Sequence, residues 1–268
     1  LVLAEQPQLE PAIQGWALTV AGDLAYRQGA YAEAESLQTA SLRLFQGLGD
    51  REGMAASTMG LGNVAQCEGR HDRAAALFAE CLHLRRALGD QRGIAGALEN
   101  LGEAVLARGD AGRAASLFEE SLTLARSDLL REASVLNGLG LLASHGAEWD
   151  RAAEWFRRSL IVEREIGDRW GSYFNLQGLA VSAVALGALA HGARLLGVLE
   201  RLRAVYSVPL DRNHLDLHRK AVATLNTAMP PEARTAAWDW GRALTLDAAV
   251  DYALSPTLDH GLRVGCPP

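Results

Sequence analysis

Two histidines four residues apart are the first candidates for metal ligands in this sequence. His214 and His218, with Asp211 about one helical turn before them, could present three ligands on one face of a helix. A protein metal site usually needs a fourth group and further residues that orient the ligands. We therefore interpret these residues as a solvated helix face, and we predict no metal ion and no other cofactor.

Two short glycine motifs resemble fragments of a nucleotide-binding loop. Gly60 with Gly62, and Gly138 with Gly140, each flank a leucine. No strand precedes either motif and both lie within helical patterns, so we assign them to helix packing. Lys220 is the only lysine of the chain, which excludes mechanisms that need a lysine elsewhere, a P-loop among them.

Paired charges do not add a catalytic site. Arg85-Arg86 and Arg157-Arg158 fall towards the ends of predicted helices, where cations complement the helix dipole. We prefer that role to a phosphate site. Glu119-Glu120 has no partner that would make it an acid–base pair. We therefore predict that this segment is not an enzyme.

Composition favours an all-α fold. Alanine and leucine, the strongest helix formers, supply 47 and 44 of the 268 residues, whereas isoleucine occurs four times. Because β-branched residues favour strands, this balance argues against a β-sandwich, a β-barrel and a parallel α/β sheet.

Charge and apolar patterning set the expected location and partners. A net charge of −6 argues against contact with nucleic acid or with an anionic membrane surface, and no apolar run of about 20 residues could span a bilayer. The cysteines, Cys67, Cys81 and Cys266, form neither a disulfide framework nor a zinc site. No signal peptide is recognisable and the chain begins with Leu1, so we expect part of a longer cytoplasmic protein.

A repeat of about 40 residues organises the chain. A glycine, an alanine and a phenylalanine recur with offsets of 40 and then 38 residues. The three sets are Gly62, Ala74 and Phe78; Gly102, Ala114 and Phe118; Gly140, Ala152 and Phe156. Apolar spacings of three and four residues indicate two helices in each repeat. We predict structural roles for all nine residues, because the small ones let helices approach closely and the phenylalanine fills the space between hairpins.

The repeat sets the expected domain boundaries and helix ends. We predict five repeats at about 11–50, 51–90, 91–128, 129–168 and 169–206, a helical cap over 207–254 and a disordered tail over 255–268. Glycine tolerates the left-handed conformation that ends many helices, which we expect at Gly29, Gly69, Gly109 and Gly187. Aspartate and threonine side chains can cap helix starts, which we expect at Asp72, Asp110, Asp150 and Thr245.

The pattern Leu61-Gly62, Ala74, Phe78 and Cys81 resembles the tetratricopeptide signature, and the next two repeats share it. The period departs from the 34 residues of that family, and HEAT or armadillo repeats are the alternative. The internal spacing from Leu61 to Cys81 keeps the tetratricopeptide distance. The resemblance therefore implies a right-handed α-solenoid of tetratricopeptide-like helix hairpins with a helical C-terminal cap.

A second resemblance lies towards the C-terminus. Segments 193–197, 209–210 and 241–246, together with Trp238, are similar to the end of the helical-repeat region in large multidomain bacterial regulators. Such proteins carry an N-terminal STAND NTPase module, and many carry a LuxR-type helix-turn-helix, a transcription-activator domain or a nucleotide-cyclase domain. The resemblance implies a sensory or scaffolding segment of a bacterial signalling or transcriptional regulator.

The first helices of a tetratricopeptide array line its concave face, so the resemblance also implies a binding groove. The residues expected to face it are rich in amides, which can pair with both groups of an extended peptide backbone. They are Asn63, Gln66, Glu99, Asn100, Glu103, Asn137, Ser144, His145 and Gln177. Glu99 and Glu103 would favour a cationic ligand group. The alternative is that these side chains face only water.

These observations lead to two hypotheses for function. In the first, the chain is a non-enzymatic regulatory module that binds a protein or a peptide, or the NTPase or output domain of its own parent chain. It would contact neither nucleic acid nor a membrane. In the second, it is a structural spacer or an oligomerisation arm without a groove ligand.

Overall fold

The computed structural model describes residues 10–125, 128–206 and 212–255. Thirteen α-helices and no strand lie within these ranges, so the all-α prediction is confirmed. The chain divides into two compact units. Unit 1 extends to Gly109 and unit 2 begins at Asp110.

The helices of unit 1 are, in turn, the first and the second helix of successive hairpins. They are α1 (Pro11–Arg27), α2 (Tyr31–Leu48), α3 (Arg51–Cys67), α4 (His71–Leu88) and α5 (Gln91–Ala107). Each helix packs against the next, and α3 also contacts both α1 and α5. A helix of 17 residues, a turn of three, a helix of 18 and a joint of two account for the 40-residue period.

Unit 2 has, within itself, the same alternating arrangement and ends in shorter helices. They are α6 (Ala111–Ala125), α7 (Leu129–His145), α8 (Trp149–Ile166), α9 (Arg169–Ala185), α10 (Leu189–Tyr206), α11 (Arg212–Ala228), α12 (Pro231–Arg242) and α13 (Leu246–Leu254). From α6 to α10 each helix packs against the next. Helix α11 lies mainly against α9, α12 lies along α10, and α13 contacts α8, α9 and α10.

Helices α1, α3, α5, α7 and α9 begin at the first residues of the five predicted repeats. The division into five repeats, a cap and a tail stays a prediction. Residues 207–211 of the expected cap and 256–268 of the expected tail lie outside the described residues.

Helix α12 crosses α10 at very short range, and two glycines make this possible. A Cβ atom added to Gly241 would overlap the carbonyl oxygen of Arg194, and one added to Gly197 would overlap that of Trp238. Both obstacles are backbone atoms, which cannot rotate away as a side chain can. Any larger residue at these two positions would therefore force the helices apart.

A glycine and an aspartate form the joint between successive hairpins. Gly49 ends α2 with a φ of 69°, and the side chain of Asp50 accepts hydrogen bonds from the backbone N–H groups of Glu52 and Gly53 at the start of α3. The same arrangement recurs at Gly89 with Asp90 and at residues 167–168. Because the glycine closes one helix and the aspartate opens the next, two residues suffice for each joint.

The expected helix ends are partly right. Gly29, Gly69, Gly109 and Gly187 all have positive φ. Asp110 accepts from the N–H of Arg113 at 3.1 Å, and Thr245 accepts from that of Ala248, so both act as predicted caps.

The expected capping by Asp72 and Asp150 is wrong. Helices α4 and α8 begin one residue before them, so both aspartates lie inside the helix and beyond the capping position. The residues in that position, Arg70 and Glu148, make no side-chain cap. Asp72 instead accepts from Nε of Arg108 at 2.8 Å.

Ala147 breaks the glycine pattern at the end of a first helix. It stands where the other hairpins have Gly29, Gly69, Gly109 or Gly187, and its φ is 57°. A Cβ atom makes this left-handed conformation costly by about 1–2 kcal/mol. We expect Ala147→Gly to raise the free energy of unfolding by about 1 kcal/mol in urea titrations. The control Gly187→Ala should lower it by a similar amount, and a loss of stability in Ala147→Gly would contradict the assignment.

Candidate functional site

Each hairpin opens with a first helix, which is α1, α3, α5, α7 or α9. Aromatic rings set the spacing between such helices. The ring of Phe156 on α8 is fully buried, and a Cβ atom added to Gly140 on α7 or to Gly178 on α9 would lie only 2.6 or 2.5 Å from it. The ring therefore fits between two helices that have no side chain at the point of contact. A Cβ atom on Gly62 would overlap Phe78 in the same way.

The nine residues predicted to be structural are all buried. They are Gly62, Ala74, Phe78, Gly102, Ala114, Phe118, Gly140, Ala152 and Phe156. The alanines and phenylalanines among them have no exposed surface. This packing fixes how far apart neighbouring first helices lie, and so which polar side chains on them can meet.

In unit 1, polar side chains connect α3 to α5. Nε2 of Gln66 donates to Oε2 of Glu103 at 2.9 Å, and Nδ2 of Asn100 donates to the Met59 sulfur at 3.2 Å. Asn63, Asn100 and Glu103 are half-buried. These three side chains are the part of the predicted surface in unit 1 that a partner could touch.

Two other predicted residues of unit 1 are more deeply placed. Gln66 and Glu99 are each 7% exposed. Oε1 of Gln66 is buried and has no hydrogen-bond partner. Of these two, Gln66 contacts the half-buried group directly, through its hydrogen bond to Glu103.

In unit 2, a chain of hydrogen bonds joins α7, α8 and α9. Nδ2 of Asn137 donates to Oδ1 of Asn175 at 2.9 Å, Nδ2 of Asn175 donates to Oγ of Ser159 at 2.7 Å, and this hydroxyl donates to the carbonyl of Ala133. Asn175 is fully buried and Asn137 is half-buried. The chain fixes the orientation of the Asn137 amide at the surface of α7.

The other predicted residues of unit 2 differ in exposure. Ser144 is buried and donates to the carbonyl of Gly140 within its own helix at 2.8 Å, and Gln177 is 2% exposed. His145 is exposed, with Nδ1 2.9 Å from the carbonyl of Leu141. Of this group, Asn137 and His145 offer the most surface to a partner.

The possible metal ligands do not add a described site. Asp211 and the side chain of His214 lie outside the described residues, and His218 is half-buried. Across residues 10–125, 128–206 and 212–255, no three His, Cys, Asp or Glu side chains are grouped so that they could hold a metal ion. None of the helices in these ranges is both long and apolar enough to cross a membrane.

Two titratable groups with strongly shifted pKa values, the buried Glu163 and the half-buried His191, were not predicted as functional residues. Burial raises the pKa of Glu163 on α8 to about 8, and burial lowers that of His191 on α10 to about 4, with Arg157 and Arg194 adding to the second effect. Nδ1 of His191 lies 2.9 Å from the Tyr252 hydroxyl of α13. No motif marks either residue in the sequence, since each occupies an ordinary helical position.

Comparisons with known proteins identify the repeat. The family model of the tetratricopeptide repeat matches residues 14–87 and 53–127. This match favours tetratricopeptide repeats over HEAT or armadillo repeats. Among curated proteins, none matches the chain significantly.

The similarity to solved structures covers more of the chain than the residues that the family model matches. The apo form of RapI has a TM-score of 0.56 at 10% identity, covering 83% of this chain and 86% of its own. BtubC (BKLC) from P. vanneervenii gives 0.53 at 20%, covering 82% and 84%. A Podosopora anserina structure described as kinesin light chain nearly identical TPR-like repeats gives 0.51 at 14%, covering 82% and 100%. At these identities the likeness concerns the fold.

Tetratricopeptide repeats are typically protein–protein interaction modules, and their fold is generally a scaffold rather than a catalyst. Residues 14–127 therefore match the tetratricopeptide repeat, and they lie within an all-helical repeat fold.

Proposed function

We propose that the chain is a non-enzymatic module that binds a protein or a peptide through polar side chains of its first helices. The single observation that carries this proposal is the arrangement in unit 1. There Asn63, Asn100 and Glu103 are half-buried on α3 and α5, and hydrogen bonds between these two helices hold Asn100 and Glu103 in place. Side chains that are already ordered lose little conformational entropy on binding.

The amides keep hydrogen-bonding capacity for a partner. Asn100 donates one N–H to a sulfur, which is a weak acceptor, and Asn137 donates one N–H to Asn175. An extended peptide presents N–H and C=O groups in alternation, and an amide can pair with both. Glu103 adds negative charge on the same helix as Asn100, which favours a partner with cationic side chains.

We further propose that this module is a sensory or scaffolding segment of a bacterial signalling or transcriptional regulator in the cytoplasm. The resemblance of segments 193–197 and 241–246 to the repeat regions of such regulators supports this context. The partner would then be a separate protein or peptide, or the NTPase or output domain of the same parent chain.

An oligomerisation arm is the second candidate function, and one observation favours it. Helix α1 exposes four large apolar side chains at helical spacing: Ile13 (52%), Trp16 (37%), Val20 (66%) and Leu24 (57%). Apolar surface of this kind marks interaction sites. Sedimentation equilibrium tests this candidate. A wild type that is a dimer and binds no peptide, together with a monomeric Val20→Asp variant, would favour it over the first.

The double variant Asn100→Ala with Asn137→Ala tests peptide binding. A peptide array first identifies extended sequences that the wild type binds. Loss of the two hydrogen-bonding amides should weaken the binding of these peptides by about tenfold or more. Circular dichroism and the unfolding midpoint should stay close to the wild type. The matched control is Asn226→Ala, an exposed asparagine on α11, which should bind as the wild type does. Equal affinity in the double variant and the control would contradict the proposed surface.

A further inference from the structure

A small cavity lies at the corner of unit 2 where α8, α9 and α13 meet. Its volume is about 170 Å³. The floor is formed by buried residues, each at most 4% exposed: Glu163, Ser172, Leu246 and Val250. The rim is formed by exposed charged residues: Arg164, Arg169, Asp247 and Asp251. The cavity is therefore open to solvent at the rim, and a ligand reaches the Glu163 carboxyl group only when that side chain turns, because Oε2 is buried.

Glu163 is an incompletely paired group in this floor. Its side chain is 3% exposed and Oε2 has no hydrogen-bond partner. The Asp168 carboxylate lies close by, because a Cβ atom added to Gly171 would be 2.9 Å from Oδ2 of Asp168 and would overlap Oε1 of Glu163. Two neighbouring carboxyl groups with an unused oxygen form a site that a hydrogen-bond donor, above all a cationic one, would satisfy.

Unit 1 shows what the same framework holds elsewhere in the chain. Arg85 is the fifteenth residue of α4, as Glu163 is of α8, and Asp90 caps α5 as Asp168 caps α9. NH1 of Arg85 donates to Oδ2 of Asp90 at 2.8 Å, and its side chain is 17% exposed. Where the joint after α4 thus places a guanidinium group against the capping aspartate, the joint after α8 places a second carboxyl group beside a cavity. At the joint after α2 the fifteenth residue is Phe45, which is fully buried.

We propose that the cavity at α8, α9 and α13 binds the guanidinium group of an arginine between Glu163 and Asp168. The planar guanidinium group offers several N–H donors in a fixed fork that matches two carboxyl groups. The terminal torsion of a glutamate side chain is broad, so Glu163 can turn either oxygen towards the ligand. The proposal goes beyond the proposed function and does not rest on it, but the two sites are connected, because Glu163 hydrogen-bonds with Asn175 and Ser159 and Asn175 accepts from Asn137.

The charges around the cavity favour a cation. Four carboxyl groups line it, those of Glu163, Asp168, Asp247 and Asp251, against two arginines. Arg164 of α8 is on the rim and donates to Oδ1 of Asp251 on α13 at 3.4 Å, and Arg169 stands at the start of α9. The net negative charge of this set attracts a third guanidinium group.

Protonation of Glu163 couples the site to pH. Burial raises its pKa to about 8, nearby Asp168 adds to the rise, and hydrogen bonding with Asn175 and Ser159 opposes it. Below that pH the carboxyl group must lose its proton before it can pair with a cation. The charged groups that face it are Arg164 on its own helix, Asp168 and Arg169 at the start of α9, and Asp247 and Asp251 on α13.

Titration with N-acetyl-L-arginine amide tests the proposal on the whole chain by calorimetry and amide NMR shifts. We expect saturable binding with shifts at Gly171 and Ser172. The neutral isostere N-acetyl-citrulline amide should bind at least about tenfold more weakly. Affinity for the arginine probe should rise about tenfold or more from pH 6.5 to pH 8.5. Free L-arginine, in a parallel titration, distinguishes a free amino acid from an arginine within a peptide as the natural source.

Three variants make the test specific. Glu163→Gln should lower the affinity about tenfold or more and remove its rise with pH. Glu165→Gln, which changes an exposed glutamate on the same helix, should bind as the wild type does. Glu163→Arg should supply the guanidinium group from within the chain, as Arg85 does, and abolish binding without lowering the unfolding midpoint.

Three results would each overturn the proposal. The first is equal affinity for the arginine and citrulline probes. The second is unchanged binding in Glu163→Gln or in Glu163→Arg. The third is a set of shifts confined to residues outside α8, α9 and α13.

Discussion

Replacement of Phe156 by alanine is expected to lower the free energy of unfolding by about 3–5 kcal/mol. The ring is fully buried on α8, between Gly140 of α7 and Gly178 of α9. Neither glycine has a side chain that could move into the space, so the cavity left by the ring would stay largely unfilled. The loss should therefore lie in the upper part of the range for large-to-small substitutions in a core.

Urea unfolding followed by tryptophan fluorescence measures this effect in the appropriate part of the chain. Five of the six tryptophans, all but Trp16, belong to unit 2. Trp155→Ala is the matched control, because it removes a half-buried ring from the neighbouring position of α8, and it should cost less than half as much. A loss below about 1 kcal/mol in Phe156→Ala would show that the ring does not separate α7 from α9.

The second large effect is expected from Glu163→Gln, and it depends on pH. In the folded chain burial raises the pKa of Glu163 from its ordinary 4.5 to about 8. Between these two values the folded state keeps a proton that the unfolded state has released, so stability falls as the pH rises. Below pH 4.5 this contribution is fully present, and it is lost as the pH passes through about 8.

Glutamine stays neutral at every pH and removes this loss. We expect Glu163→Gln to match the wild type near pH 4.5 and to exceed its free energy of unfolding at pH 9 by on the order of 2–4 kcal/mol. Denaturant titrations across this range give the difference directly. Glu165→Gln should show no such trend, and a difference between Glu163→Gln and wild type that is the same at all pH values would contradict the assignment.

His191 acts in the opposite direction and does not disturb this comparison. Burial lowers its pKa to about 4, aided by Arg157 and Arg194. Its unfolded state therefore binds more protons between about pH 6.5 and pH 4, and stability is lost as the pH falls through that range. Both the wild type and Glu163→Gln carry this histidine, so the difference between them isolates the glutamate.

The helical fold follows from short-range features of the sequence. Apolar spacing and the high content of alanine and leucine determine where helices form, and Gly29 or Gly69 at a helix end needs only its own backbone freedom to act. The predicted capping role of Asp72 is wrong because α4 begins one residue before it. Hydrophobic periodicity predicts that a helix exists better than it predicts the residue at which the helix begins.

The candidate site depends on features that lie further apart in the sequence. Whether Asn137 faces a partner or a neighbouring helix is decided by Asn175, and these two amides meet because Phe156 fixes the distance between α7 and α9. Glu163 gives no signal in one sequence, because the residues that line the cavity with it come from α9 and α13. Comparison of the repeats with one another could have drawn attention to it, since Arg85 occupies the same place in α4.

The short joints of unit 1 have a consequence for degradation. Its five helices are connected by two or three residues, and a positive-φ glycine lies in each connection. A protease needs an extended segment of several residues, and such segments are found mainly in long exposed loops. No connection in this unit provides one, so cleavage there must wait until at least one hairpin has opened. The rate of nicking is thus set by local unfolding of the hairpins rather than by access to their turns.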